Sequence, residues 1–188
     1  MSYLEYRTPA ITHAATVHLN AVDSVQKRFL RNIGLNSFEA LHQLNLAPLS
    51  TGRTIANLGL IFRAVSGRGP LQLRSLFKLW TSFTRSNPRR PSHRYQVIDD
   101  TRSIGRDYLD RSTFGYVAVF NLLPECVFHH DEQVMPISVS AFQTNLNRLL
   151  KLASHELDAW DSLFSARSTI HNHVLRNFCN LSDLDAYR

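Results

Sequence analysis

The chain has 188 residues and a formal net charge of +6, with 44% of its residues hydrophobic and 19% charged. Those proportions suit a globular chain that buries a core and exclude a disordered polyelectrolyte. Two cysteines, Cys126 and Cys179, are too few for a secreted disulfide scaffold, and no apolar run reaches the ~18 residues of a membrane span.

Glu5 and Arg7 interrupt the place where a signal peptide would carry its apolar segment. The expectation is therefore a soluble, uncleaved protein of a reducing compartment with no membrane partner. The charge is unevenly placed. Residues 1–95 hold 13 Lys and Arg against 3 Asp and Glu, whereas residues 96–188 hold 8 against 12. The first half suits a polyanion, because each neutralised phosphate releases counterions, and the second half would repel one.

In chain order, "VQKRFLRNIGL" (Val25 to Leu35) closes the first helical pattern. Turning about 100° per residue gathers Leu19, Val22, Val25, Phe29, Leu30 and Ile33 on one arc and leaves Lys27, Arg28 and Arg31 opposite. Gly34 suits the left-handed stop, and cations near a helix C-terminus suit its dipole without any ligand. A short helix with Phe38, Leu41 and Leu44 inward follows, capped by Ser37, and Pro48 breaks the chain before Ser50 offers another cap. The next pattern turns Ile55, Leu58, Ile61, Phe62 and Val65 inward and Arg53 and Arg63 away, and ends at "GRGP", Gly67 to Pro70. Leu73, Leu76, Phe77 and Trp80 repeat at helical spacing in a fourth segment.

From Thr84 to Arg111 prolines and charges erase the periodicity, which reads as a basic, irregular linker or mobile loop. "STFGYVAVFNLLP" is apolar almost throughout and is a buried helix or a strand. Ser138 begins a helix with Val139, Phe142, Leu146, Leu149, Leu150 and Ala153 inward and Gln143, Asn147, Arg148 and Lys151 outward. A short helix around Trp160 to Phe164 packs on it. The expected fold is all-α: a helical subdomain over 1–83, a linker over 84–111 and a second helical subdomain over 112–188.

Two constellations invite a chemical reading. Asp99 and Asp100 after Val97 and Ile98 have the look of paired polymerase carboxylates, but Thr101-Arg102-Ser103 follows them. The upstream acids Glu5, Asp23 and Glu39 all sit in helical or terminal contexts, so a third carboxylate is lacking. Cys126, His129, His130, His171, His173 and Cys179 carry zinc-ligand atoms at spacings too irregular for a zinc knuckle. No catalytic residue, metal ligand or cofactor site is expected.

"LNAVDSVQKRFLRNIGL" followed by "EALHQLNLAPLSTGRTIANLGLIFRAVSGRGP" resembles the region downstream of the catalytic palm in the reading frames of non-LTR (LINE-type) retrotransposons. There a helix with Val-Gln-x-x-Phe-Leu-Arg and a Gly-Leu stop precedes an Ala-Pro-Leu-Ser/Thr stretch with a basic residue, here Arg53. Gly52 stands where a second arginine is common. Ser2 to Ile11 resembles the helix entering that region, and "FGYVAVFNLLP" and "WDSLFSARSTIHNHVL" are similar to later parts of such frames.

The resemblance implies thumb and post-thumb helices of a reverse transcriptase, an RNA-directed DNA polymerase. Without palm carboxylates the chain is expected to be a non-catalytic fragment or remnant. Implied partners are RNA or DNA, held without sequence preference, and the palm of the parent polymerase. Lys27, Arg28, Arg31, Arg53 and Arg63 would contact phosphates, and Arg89, Arg90 and Arg94 would add diffuse attraction. The competing reading is a helical packing module whose arginines are only its solvated surface. Packing and capping account for every residue from Val25 to Leu35, and resemblance alone turns its charged side toward a nucleic acid.

Overall fold

The computed structural model describes residues 14–80, 93–99, 112–129, 137–165 and 175. The fold is all-α. Helix α1 (Thr16–Asn32), α2 (Ser37–Leu44), α3 (Leu49–Val65) and the short α4 (Leu71–Ser75) come first. A 3-10 turn (Thr113–Tyr116) then runs into α5 (Val117–Phe120), a second follows (Glu125–Phe128), and α6 (Val139–Glu156) precedes a third (Trp160–Ser162).

The stops are local chemistry. Gly34, at φ +74°, ends α1, and the Leu35 N–H reaches back to the Leu30 carbonyl while the Gly34 N–H bonds that of Arg31. This is the Schellman closure expected of glycine after a helix. Asn36, not Ser37, caps α2: its side chain accepts from the Glu39 N–H, and the Glu39 carboxylate accepts from the Asn36 N–H, both at 2.8 Å. An amide on the residue before the helix completes this box, which leaves Ser37 as the first helical residue. Pro48, not Ser50, occupies the N-cap of α3. Ser138 caps α6 by accepting from the Ala141 N–H at 3.0 Å.

Helix α3 is the axis of the molecule. Ile55, Leu58, Ile61, Phe62 and Val65 are buried as its periodicity predicts, and Thr51, Thr54, Asn57, Gly59 and Ala64 are buried as well. α6 packs along it with Phe142, Leu146, Leu149, Leu150 and Ala153 buried. At the crossing a methyl on Gly59 would stand 2.6 Å from Gln143 Nε2, so Gln143 lies in the helix contact and not on the outward side expected for it. α5 resolves the ambiguous apolar stretch as helical, burying Val117, Val119 and Phe120.

One hydrophobic core crosses the boundaries drawn from composition. Phe62 stacks on Phe142 at 4.5 Å between ring centres, and Phe128 and Phe120 pack around the pair. Into this cluster come His93 and Tyr95 from the stretch read as linker: His93 stacks on Phe128 at 4.2 Å and Tyr95 meets Phe62 edge-on at 5.3 Å. His93, Tyr95 and Val97 turn inward while Arg94 and Ile98 are exposed, the chain bending and turning from His93 to Tyr95 before it pairs at Val97. The expected fourth helix stops at Ser75, and past Phe77 the chain turns extended. Leu79 bridges Val97, with the Trp80 N–H on the Gln96 carbonyl and the Ile98 N–H on that of Lys78. The Asn121 amide fixes this pairing, accepting from the Val97 N–H and donating to the Val97 carbonyl, each at 2.8 Å.

His93 is buried with both ring nitrogens occupied: Nε2–H donates to the Phe120 carbonyl at 2.9 Å and Nδ1 accepts from the Tyr95 N–H at 3.2 Å. Burial pushes its pKa down to about 4, partly offset by the Phe120 carbonyl, which favours the charged ring. No helix among the described residues is long and apolar enough to cross a membrane.

Candidate nucleic-acid interface

Helix α1 lies against α3 in an antiparallel sense. Asp23 meets Arg53, and three residues further along α1 Gln26 meets Ala47 and Leu49, earlier in the chain than Arg53. The face that packs centres on a polar side chain. Gln26 donates from Nε2 to the Ala47 carbonyl at 2.9 Å and accepts at Oε1 from the Leu49 N–H at 2.8 Å. One side chain of α1 thus supplies the cap that Pro48 cannot give to α3.

The inward arc expected for α1 is therefore rotated. Leu30 is buried and Leu19 and Val22 are half-buried, but Val25, Phe29 and Ile33 remain 69%, 53% and 45% exposed. The cause is that Gln26 and Asp23, not the largest apolar side chains, face the bonding groups of α3 and its entry loop. Lys27, Arg28 and Arg31 are exposed, and no carboxylate among the described residues pairs with them.

Arg53 is committed elsewhere. Its two terminal nitrogens grip both oxygens of Asp23 at 2.7 and 2.8 Å, with the side chains 13% and 20% exposed. This bidentate pair joins the two stretches that carry the retrotransposon resemblance, and it gives Arg53 a structural occupation. Arg63 is exposed near the C-terminus of α3. Because the helices run opposite ways, Arg63 and Arg31 lie near opposite ends of the pair, separated by roughly 27 Å of helical rise. Arg94 is exposed with its guanidinium 4.9 Å from the centre of the Tyr95 ring. Arg89 and Arg90 lie outside the described residues, as do Ser2 to Ile11.

Sequence reasoning passed over a second basic group at the end of α3. Arg68 donates to the Ile137 carbonyl, and the Arg74 guanidinium reaches to 3.9 Å from where a Gly67 Cβ would stand. The "SGRGP" stretch signals these residues only as a helix stop, although three arginines within twelve residues invite a reading as a cluster.

The other constellations are dispersed. Asp23 is held by Arg53, and Glu39 by the capping box. Asp99 follows the Val97 bridge, and Asp100 lies outside the described residues. Cys126 is half-buried, and His129 meets Glu125 at 2.9 Å. His130, His171, His173 and Cys179 lie outside the described residues. Among those described, no group of three or more His, Cys, Asp or Glu could hold a metal ion. No family model, curated protein or solved structure matches this chain.

Proposed function

We propose that the chain is a non-catalytic helical module that binds nucleic acid through phosphate contacts from Lys27, Arg28 and Arg31, descended from the thumb region of a non-LTR retrotransposon reverse transcriptase. The observation that supports it is the state of those cations: exposed along little more than one turn of one helix and unpaired among the described residues, while the neighbouring Arg53 is consumed by Asp23. Contacts of this kind read charge and spacing, so binding is tolerant of sequence. Arg63 and Arg94 stand apart and add long-range attraction only.

Three phosphate contacts give a log–log salt slope of about −2 to −3. Filter binding of a primed RNA–DNA duplex at two salt concentrations measures it. Lys27→Gln, Arg28→Gln and Arg31→Gln together should flatten the slope and abolish retention while leaving the helical signal unchanged. Retention by the triple variant equal to that of the parent chain sinks the reading.

A second reading rests on a different observation. Val17, Val25 and Phe29 on the same helix and Ile33 at its C-cap are large apolar side chains left exposed, as on a packing module whose partner is the palm of the parent polymerase. On this reading the isolated chain self-associates to the same degree with or without nucleic acid. Sedimentation of the chain alone and with the duplex separates the two.

A further inference from the structure

Where α2 packs on α6, three basic side chains converge. Lys151 and His155 stand one turn apart on α6, and the His42 ring from α2 lies 4.6 Å from the His155 ring, centre to centre. Phe38 walls the pair, 4.4 Å from His42 and edge-on to His155 at 5.4 Å. His155 is exposed and His42 and Lys151 are half-buried, so the group opens to solvent.

The protons can be placed. Ser154 has one hydroxyl hydrogen, and it donates to the Lys151 carbonyl at 2.7 Å. The 2.9 Å contact between His42 Nε2 and Ser154 Oγ therefore has the ring N–H donating to the hydroxyl oxygen. That leaves Nδ1 of His42 to take up a further proton. Burial, then His155, then Lys151 push the His42 pKa down, and no carboxylate among the described residues acts against them. Glu39, on the same helix, is held by the Asn36 N–H, and Glu156 follows His155 but lies about 100° round α6. On α1, which also packs against α2, Asp23 is tied to Arg53 and the other charged side chains are cations.

We propose that His42, His155 and Lys151 form a site for a phosphate group, the two rings donating N–H bonds when protonated and the ammonium supplying the standing charge. An anion here offsets the repulsion that His155 and Lys151 exert on a protonated His42 and replaces the water that half-burial removes. The site is separate from the α1 cations and stands whether or not those bind nucleic acid.

The test follows the His42 ring signals by NMR through a pH titration of the full chain in inorganic phosphate and in chloride at matched ionic strength. Sulfate, doubly charged over the whole range, controls for the protonation of phosphate itself. Both anions should raise the His42 midpoint by at least about half a pH unit, equivalent to roughly threefold tighter binding to the protonated ring. Lys151→Met should abolish the rise without loss of helical signal, and the Lys27, Arg28 and Arg31 triple variant should retain it. An oligonucleotide without terminal phosphate that reproduces the rise assigns a backbone phosphate as the source, and one that does not assigns a free or terminal phosphate. A midpoint equal in phosphate and chloride, or an undiminished rise in Lys151→Met, overturns the proposal. So does stoichiometric Zn²⁺ uptake by the two rings in place of the anion effect.

Discussion

Helices α1 and α3 are both 17 residues long and lie against each other, yet α3 buries ten residues and α1 buries only Leu30. The difference follows from where charges interrupt the pattern. Between Arg53 and Arg63, α3 has nine residues without a formal charge, so it can be surrounded on several sides at little desolvation cost. In α1, Asp23, Lys27, Arg28 and Arg31 recur every turn or so and restrict burial to one narrow seam. An apolar stripe therefore shows that a helix forms, and the charge-free length beside it shows how deeply the helix sits.

The largest effect should separate equivalent truncations on the two helices. Phe62→Ala removes a fully buried ring stacked on Phe142 and should cost about 3–5 kcal/mol. Phe29→Ala, at a ring 53% exposed, should change stability by no more than ~0.5 kcal/mol. Urea denaturation gives both values. Comparable losses would mean that the outer stripe of α1 is covered in solution, which breaks the contrast and favours the packing-module reading.

A somewhat smaller effect belongs to the segment that enters the aromatic cluster from outside both helices. His93 titrates near 6.5 when unfolded and at about 4 in its buried site. Between those values the unfolded chain binds more protons, so stability is fully present above about pH 6.5 and is lost as pH falls through about 4. The total is on the order of 3 kcal/mol. Denaturation midpoints of the parent chain and His93→Gln, compared across that window, should show the parent losing more. Equal slopes would place the ring in water, outside the core.

Most of the helices were legible. The inward residues of α3 and α6, the glycine stop after α1 and the Ser138 cap follow from spacing and propensity, which act within a few residues. What stayed hidden depends on distant partners. The "HRYQV" alternation of His93, Tyr95 and Val97 is short and lies among prolines and arginines, so its inward side is visible only once Phe62, Phe120 and Phe128 surround it. Of the candidate interface residues, the exposure of Lys27, Arg28 and Arg31 was readable on the helical wheel. The occupation of Arg53 was not, because nothing local ties it to an aspartate thirty residues away.

Gln26 gives the finest probe of the α1–α3 seam. Its amide satisfies a donor and an acceptor at the entrance to α3, where Pro48 offers no side-chain cap. Gln26→Ala should cost about 1–2 kcal/mol, measured by urea denaturation, since both groups are left partly shielded from water. Gln26→Glu sharpens the test. A carboxylate still accepts from the Leu49 N–H but meets the Ala47 carbonyl with no proton to donate, so near neutral pH this variant should be about as unstable as Gln26→Ala. Once acid protonates that carboxyl, its O–H can donate where the amide did, and the variant should regain stability relative to Gln26→Ala as pH falls. If the gap between the two variants does not change with pH, the Ala47 contact contributes nothing, and apolar packing around Leu30 alone holds α1 in place.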